Sequence, residues 1–431
     1  MKKIKIAFNT LGCKSNRYDT IKLQEILKNY PVEIVPFNEK ADLYVVNTCA
    51  VTNNSEANSR QIIRKAKKIN SNAEVLVTGC YAQADKKAVE TMQESDFVFD
   101  NTEKDYIAEF IRKKYFPKEE KIKSDDIFIH SFEAQTRPFI KIQDGCGSNC
   151  SYCIIPRTRP VMKSVPKENI ARQINILADA GYKEVVLTGI HLGYYGVNEN
   201  NFLDFNGLLV YLEKNTTIER IRISSIDPHE VTEEFVDIVS SSEKFANHLH
   251  VALQYGDDVV LKDMNRGYGV EDILKNLEYA NKKIKNLVYG FDIIVGFPTE
   301  TEESFKNTKT LLSLTKPGYL HVFPYSSRPF TKAAEVYKKQ INGKIIKRRA
   351  KELRELGKAL KLEKMKTSLG QVERVLIERK FKDDREEYFR GHTGNYFDVV
   401  IPESNELSDN IFVDVILKEL YDENRIRAVL K

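Results

Sequence analysis

No stretch of the chain approaches the roughly 18 consecutive apolar residues of a membrane-spanning helix, and the charged start Met1-Lys2-Lys3-Ile4-Lys5 runs into a strand-like segment, not a secretory apolar core. No membrane association and a cytoplasmic location are therefore expected. Cysteine is sparse, six in 431 residues. In so long a chain that argues against a disulfide framework and for metal ligation or catalysis. No charge sign dominates: 67 Lys and Arg face 62 Asp and Glu, a net +5 that permits a nucleic-acid partner without demanding one. Internal repeats, low-complexity tracts, a Ser-His-Asp arrangement and a Walker-type phosphate loop are all missing. What remains is globular material, 42% hydrophobic and 30% charged, in a chain longer than one hydrophobic core usually serves, so two or three domains are expected.

Strand-like runs at 3–9, 43–47 and 75–78 alternate with helix-like runs near 19–29 and 55–69, which implies βαβ units and a doubly wound parallel sheet. We expect this first domain to span 1–117, with a linker at 118–132; the Lys- and Asp-rich segment 117–126 at this junction has neither period. A second α/β series occupies 133–366, with strands at 139–143, 184–187, 221–225, 248–253, 291–295 and 320–324; six β/α units suit a partial barrel. The run 342–366 reads as a basic helix. From 367 to 431 short β-type runs (372–377, 396–401, 411–417) predict a small all-β module, in which Tyr388, Phe389, Tyr396 and Phe397 either stack on bases or fill a core.

The sharpest local signal is Cys146-Gly-Ser-Asn-Cys150-Ser-Tyr-Cys153. Three thiolates in a tight loop suit three corners of a cubane iron–sulfur cluster, leaving one iron without a protein ligand. A structural zinc loop is the alternative, but zinc needs a fourth ligand and no nearby Cys or His supplies it. Cys13, Cys49 and Cys80 each follow the end of a predicted strand. In a parallel sheet those ends share one edge, where ligand crevices form, so the three converge; three buried core thiols are the plainer alternative.

The Cys146–Cys153 spacing, with an aromatic residue before the last cysteine, resembles the radical S-adenosylmethionine superfamily. Two cysteine sets, a leading α/β domain and a trailing β module together resemble the methylthiotransferases across essentially the whole chain. The similar segments are Leu11-Gly-Cys-Lys-Ser-Asn16, Val46-Asn-Thr-Cys-Ala-Val-Thr52, Lys141-Ile-Gln-Asp-Gly-Cys146, Cys153-Ile-Ile-Pro156 and Asp292-Ile-Ile-Val-Gly-Phe-Pro298. Arg390-Gly-His-Thr-Gly-Asn-Tyr396 looks like part of a TRAM domain, an RNA-binding β-barrel. The resemblance implies two 4Fe-4S clusters, at Cys146, Cys150 and Cys153 and at Cys13, Cys49 and Cys80, with S-adenosylmethionine on the open iron of the first and Tyr152 near its adenine. It implies radical methylthiolation of a tRNA base, with an electron donor such as a flavodoxin or ferredoxin; the oligomeric state we expect is a monomer.

Segments 47–66, 187–191 and 224–228 are most like the branch that modifies carbon 2 of N6-threonylcarbamoyladenosine beside the anticodon. Isopentenyladenosine in tRNA and a ribosomal-protein aspartate are the other targets within this chemistry. From a different class comes a non-catalytic RNA-binding protein with structural metal. Further candidates for cofactor contact are Gly189, Ser224, Ser225, Gln254 and Gly296, each at or just beyond a strand end, where an ordinary turn is the competing explanation. His191 is a candidate for substrate contact, with a solvated loop histidine as the alternative. The basic helix and the cluster Arg60, Arg64, Lys65, Lys67 and Lys68 are candidates for phosphate contact or solvated faces. Two departures from the family stand out: Tyr255, where Ser is usual and where a Tyr lining the barrel mouth would narrow it, and Pro160, where Gly is usual.

Overall fold

The computed structural model describes every residue except 1–2, 123–126, 134, 384–385 and 405. The N-terminal unit is a five-stranded parallel sheet in the order Val32–Val35, Ile4–Thr10, Leu43–Thr48, Glu74–Gly79, Phe97–Val98. Its central strand, Leu43–Thr48, is buried at all six positions, as a parallel strand covered on both faces must be. Tyr44, Val46, Val75 and Val77 pack with Ile63 and Ala66 of the helix Asn53–Ile69. Leu43, Val45 and Leu76 face the other way, toward Ile26 and Leu27 of the helix Lys14–Leu27 and toward Ile107 and Ile111. The expected doubly wound layer is present. Two strands escaped the sequence reading: Val32–Val35 and Phe97–Val98 lie at the edges and have four and two residues, too few for a period to show.

The central unit carries six parallel strands in chain order, Phe139–Lys141, Glu184–Thr188, Arg220–Ile223, His248–Gln254, Val288–Val295 and Tyr319–Pro324. The ladder breaks at Ser224; beyond it Ser225–Ile226 pairs with His248–Gln254, and Ile221 bridges to Phe245. Among the described residues the first and last strands do not pair, so the arc stays open as a partial barrel. The expected strand 139–143 is split, because Gln143–Asp144 turns away to pair antiparallel with Lys163–Ser164. Helices Lys167–Asp179, Phe205–Asn215, Glu233–Ser241, Val270–Lys283 and Glu302–Thr315 follow successive strands and share one large apolar core with their outer faces.

The helix Gly343–Thr367 leads to a closed five-stranded barrel, Val372–Lys382, Glu387–Thr393, Asp398–Pro402, Phe412–Leu420 and Arg425–Leu430. Phe389 and Phe397 fill this barrel and Tyr388 is buried, while Tyr396 is only half-buried. The connection beyond Pro117 is irregular as far as it is described: the hydroxyl of Tyr30 donates to the carbonyl of Glu120, 3.2 Å, and accepts from the amide of Ile122, 3.3 Å. Part of the predicted linker, 123–126, lies outside the described residues.

Candidate active site

Just past the first strand of the arc, Cys146, Cys150 and Cys153 sit partly exposed in one loop. Donors surround their sulfurs: the amides of Ser148 and Ile155 donate to Cys146 Sγ and Cys153 Sγ, both at 3.4 Å, and Arg266 Nη1 donates to Cys150 Sγ at 3.0 Å. His191 Nδ1 lies 3.5 Å from Cys146 Sγ, and its Nε2 lies 2.5 Å from Glu230 Oε1. Burial would lower the basicity of that imidazole, but the bonds to Cys146 and Glu230 raise it to about 10. His191 therefore stands between a sulfur and a carboxylate that both favour its protonated form, and is not a solvated loop residue. Burial, aided by the neighbouring Cys150 and Cys146 sulfurs, pushes the Cys153 thiol up to about 12. A positive partner would offset that penalty on the thiolate form, and an iron–sulfur cluster is a donor-matched one for three thiols in one loop.

The second set gathers on the sheet edge. Cys13 caps the helix Lys14–Leu27, Cys49 follows the strand Leu43–Thr48 directly, and Cys80 opens the helix Cys80–Ala84 after Glu74–Gly79. These strands are adjacent in the sheet. Gly12, at φ +93°, passes so close to Cys49 that a Cβ there would lie 2.9 Å from Cys49 Sγ. Asn16 braces the edge, donating to the carbonyls of Leu11 and Thr48, both at 2.9 Å, with its Oδ1 3.9 Å from Cys80 Sγ. Burial raises the Cys49 thiol, and the charges of Cys80 and Cys13 raise it further, which is what three converging sulfurs produce.

Other candidates fare unevenly. Tyr152 packs against the main core. Gly189 is tightly enclosed, its Cβ position 3.2 Å from Gln143 Oε1. Ser224 and Ser225 are half-buried at the ladder break. Gln254 ends its strand at φ +64°, beside an irregularity in pairing. Gly296, at φ +87°, is buried and its amide donates to Glu300 Oε2, so this amide already has its acceptor. Tyr255 is fully buried with its hydroxyl 3.4 Å from Ser304 Oγ; it does not line the barrel mouth, and the narrowing expected of it is corrected. Pro160 is exposed beside the buried Arg159. In the basic helix, Arg349 bonds Glu300 and Glu302, Arg348 bonds Glu302 and Glu352, and Arg354 donates to the carbonyl of Val322, so these three arginines tie the helix to the arc. Arg60 covers the ring of Tyr81, Arg64 approaches Glu94 at 3.9 Å and Lys67 pairs with Asp96 at 2.8 Å.

Sequence reasoning missed Arg266, Asp227 and Glu230. Arg266 Nη2 pairs with Asp227 Oδ1 at 2.5 Å while reaching Cys150, 116 residues away in the chain; no local pattern marks such a residue. It also missed the buried tie between the units: Arg159 bonds Asp144, Asp19 and Asn16 Oδ1, and Lys141 bonds Asp19. A cavity of about 1190 Å³ opens between the three units, lined by Cys13, Lys14 and Arg17 of the first, Phe139, Val186 and Arg222 of the arc, and Glu378, Arg379 and Tyr396 of the barrel.

An open arc of six parallel strands with a three-cysteine loop after its first strand defines the class of radical S-adenosylmethionine enzymes. Residues 140–312 match the radical SAM superfamily, and residues 5–100 match the family described as uncharacterized protein family UPF0004. Among solved structures, the radical S-adenosylmethionine methyltransferase TsrM from Kitasatospora setae superposes with a TM-score of 0.57 over 77% of each chain at 13% identity, a likeness of fold alone. The threonylcarbamoyladenosine tRNA methylthiotransferase MtaB of Bacillus subtilis is 36% identical, covering 97% of this chain and 95% of that protein. Its namesake from Aquifex aeolicus is 38% identical over 87% and 93%. The tRNA-2-methylthio-N(6)-dimethylallyladenosine synthase of Carboxydothermus hydrogenoformans is 32% identical over 87% and 88%. The chain belongs to the radical S-adenosylmethionine methylthiotransferase family.

Proposed function

We propose that this enzyme places a methylthio group on carbon 2 of N6-threonylcarbamoyladenosine beside the anticodon of tRNA. The observation that carries the reading is the shared cavity, in which Cys13 of the first unit meets Phe139, Val186 and Arg222 of the arc and Tyr396 of the barrel. Basic side chains predominate in its lining, Lys14, Arg17, Arg137, Arg222 and Arg379 against Glu378 and Asp409. That lining suits RNA phosphates and a carboxylate-bearing substituent better than an apolar isopentenyl chain. The names of the relatives at 36% and 38% identity support the same branch.

In this reading Cys146, Cys150 and Cys153 hold a 4Fe-4S cluster and Cys13, Cys49 and Cys80 a second one. When bound, these groups supply an electron for the reductive cleavage of S-adenosylmethionine and a site for the transferred sulfur. His191 and Arg266 hold positive charge against the first set, while Glu230 and Asp227 orient them. Tyr152, Gly189, Ser224, Ser225 and Gln254 surround the cofactor, and Gly296 shapes the turn beside it. The chain divides at 117, 133 and 366 into cluster domain, linker, radical core and an RNA-binding TRAM barrel, acts as a monomer, and takes electrons from a flavodoxin or ferredoxin.

Mass spectrometry of tRNA nucleosides from cells lacking the protein tests the substrate: loss of the methylthio mark from threonylcarbamoyladenosine alone is expected. Loss from isopentenyladenosine instead would move the enzyme to the other branch.

A further inference from the structure

The concave face of the arc carries a third group of donors, distinct from both cysteine sets. His250, Asp292 and His321 stand on three adjacent parallel strands, Asp292 directly beside His321 and His250 beside Gly290. Each alternates with residues buried against the helical layer, Leu249 and Val251, Phe291 and Ile293, and Val322, so the period-two pleat turns all three side chains to the concave side. His250 Nε2 lies 2.9 Å, and His321 Nδ1 3.1 Å, from the same oxygen, Asp292 Oδ1. All three ligand atoms fall within 4.8 Å of one another.

Those spacings carry the argument. Ligands held at right angles by bonds of about 2.1 Å stand about 3 Å apart, so Asp292 Oδ1 already stands at ligand spacing from both imidazoles, with all three ligand atoms within one coordination sphere's reach. Two histidines and a carboxylate with the opposite positions open are a donor set for divalent first-row ions. The neighbouring residues fit the same role. Tyr319 Oη lies 3.4 Å from His250 Nδ1 and 3.0 Å from His248 Nε2, an outer hydrogen bond of the kind that fixes which ring nitrogen a ligating histidine presents. Among the described residues no lysine or arginine pairs with Asp292, so its charge is balanced by the histidines alone. The His321 side chain is 51% exposed, which gives an ion and an oxygen-bearing ligand a way in.

We propose that His250, Asp292 and His321 bind one divalent first-row transition-metal ion, separate from any iron held by the cysteines. The remaining coordination positions face the concave side of the arc, where they are open to an oxygen ligand. The site stands independently of which RNA base is modified.

The test uses the anaerobically reconstituted holoenzyme, equilibrated with zinc chloride and desalted, with zinc and iron counted by mass spectrometry and the zinc environment read by X-ray absorption. About one zinc per chain is expected, with nitrogen and oxygen but no sulfur neighbours. His321→Ala and Asp292→Asn should each lower the retained zinc at least about tenfold at unchanged iron content. His321 is exposed enough for its replacement to leave the core intact, and an unchanged melting curve verifies this. No retained zinc, zinc with sulfur neighbours, or equal retention in both variants overturns the proposal.

Discussion

Gln254 sits in the left-handed region, φ +64°, at the last position of a strand whose other residues are extended. For a side chain other than glycine that conformation is unfavourable by about 1 kcal/mol, and such strain concentrates at functional sites. Gln254→Gly should therefore leave stability unchanged or raise it by up to about 1 kcal/mol in urea unfolding, while methylthiolation falls at least about tenfold. A variant of full activity would make the strain incidental. Glu184 offers a pH test at the same scale. Burial pushes its carboxyl up, but Arg222, Arg220 and Arg137 outweigh burial and hold it at about 2, below an ordinary 4.5. A depressed carboxyl contributes stability that is complete above about pH 4.5 and is lost as pH falls toward 2. For the cluster-free chain, wild type should lose about 3 kcal/mol more than Glu184→Gln across that window. Parallel pH profiles would show that the three arginines do not stabilise the charged form.

Among the elements, strand ends do most of the positioning. Three adjacent strands of the first sheet deliver Cys13, Cys49 and Cys80 to one edge, and the first strand of the arc delivers the Cys146 loop. The two sets should be separable: Cys49→Ala should reduce reconstituted iron from about eight to about four per chain while S-adenosylmethionine cleavage persists, and Cys150→Ala should abolish that cleavage. Iron analysis and release of 5′-deoxyadenosine under strong reduction read both. Cleavage retained by the Cys150 variant would reassign the sets.

For the molecule as a whole, Arg159 is the tie to examine. Its side chain is 2% exposed and joins Asp19 of the first unit to Asp144 of the arc. Removing one partner of a buried ion pair strands the others. Lys141 and Lys104 still attend Asp19, so Arg159→Ala should destabilise the chain by about 3 kcal/mol, at the lower end for buried pairs. Calorimetry should show the N-terminal unit melting on its own; a single unshifted transition would mean the units hold together by other contacts. The terminal barrel is seated by Arg222, which donates to the carbonyls of Gly394 and Thr393, and by Tyr396, whose ring has both Arg222 and Arg137 over it at 4.7 and 5.1 Å. The aromatic question thus largely resolves into packing, because Phe389 and Phe397 fill the barrel and Tyr388 is buried.

The sequence by itself determined the layer order, the six β/α units of the arc and the Cys146–Cys153 loop, since hydrophobic period and the spacing of those three thiols are local properties of the chain. Only the tertiary structure decided that Arg266 and His191 reach the cysteine loop, that Tyr255 turns into the core, and that His250, Asp292 and His321 share an oxygen. Those relations join residues far apart in sequence through the register of parallel strands, and register is settled by packing over the whole arc.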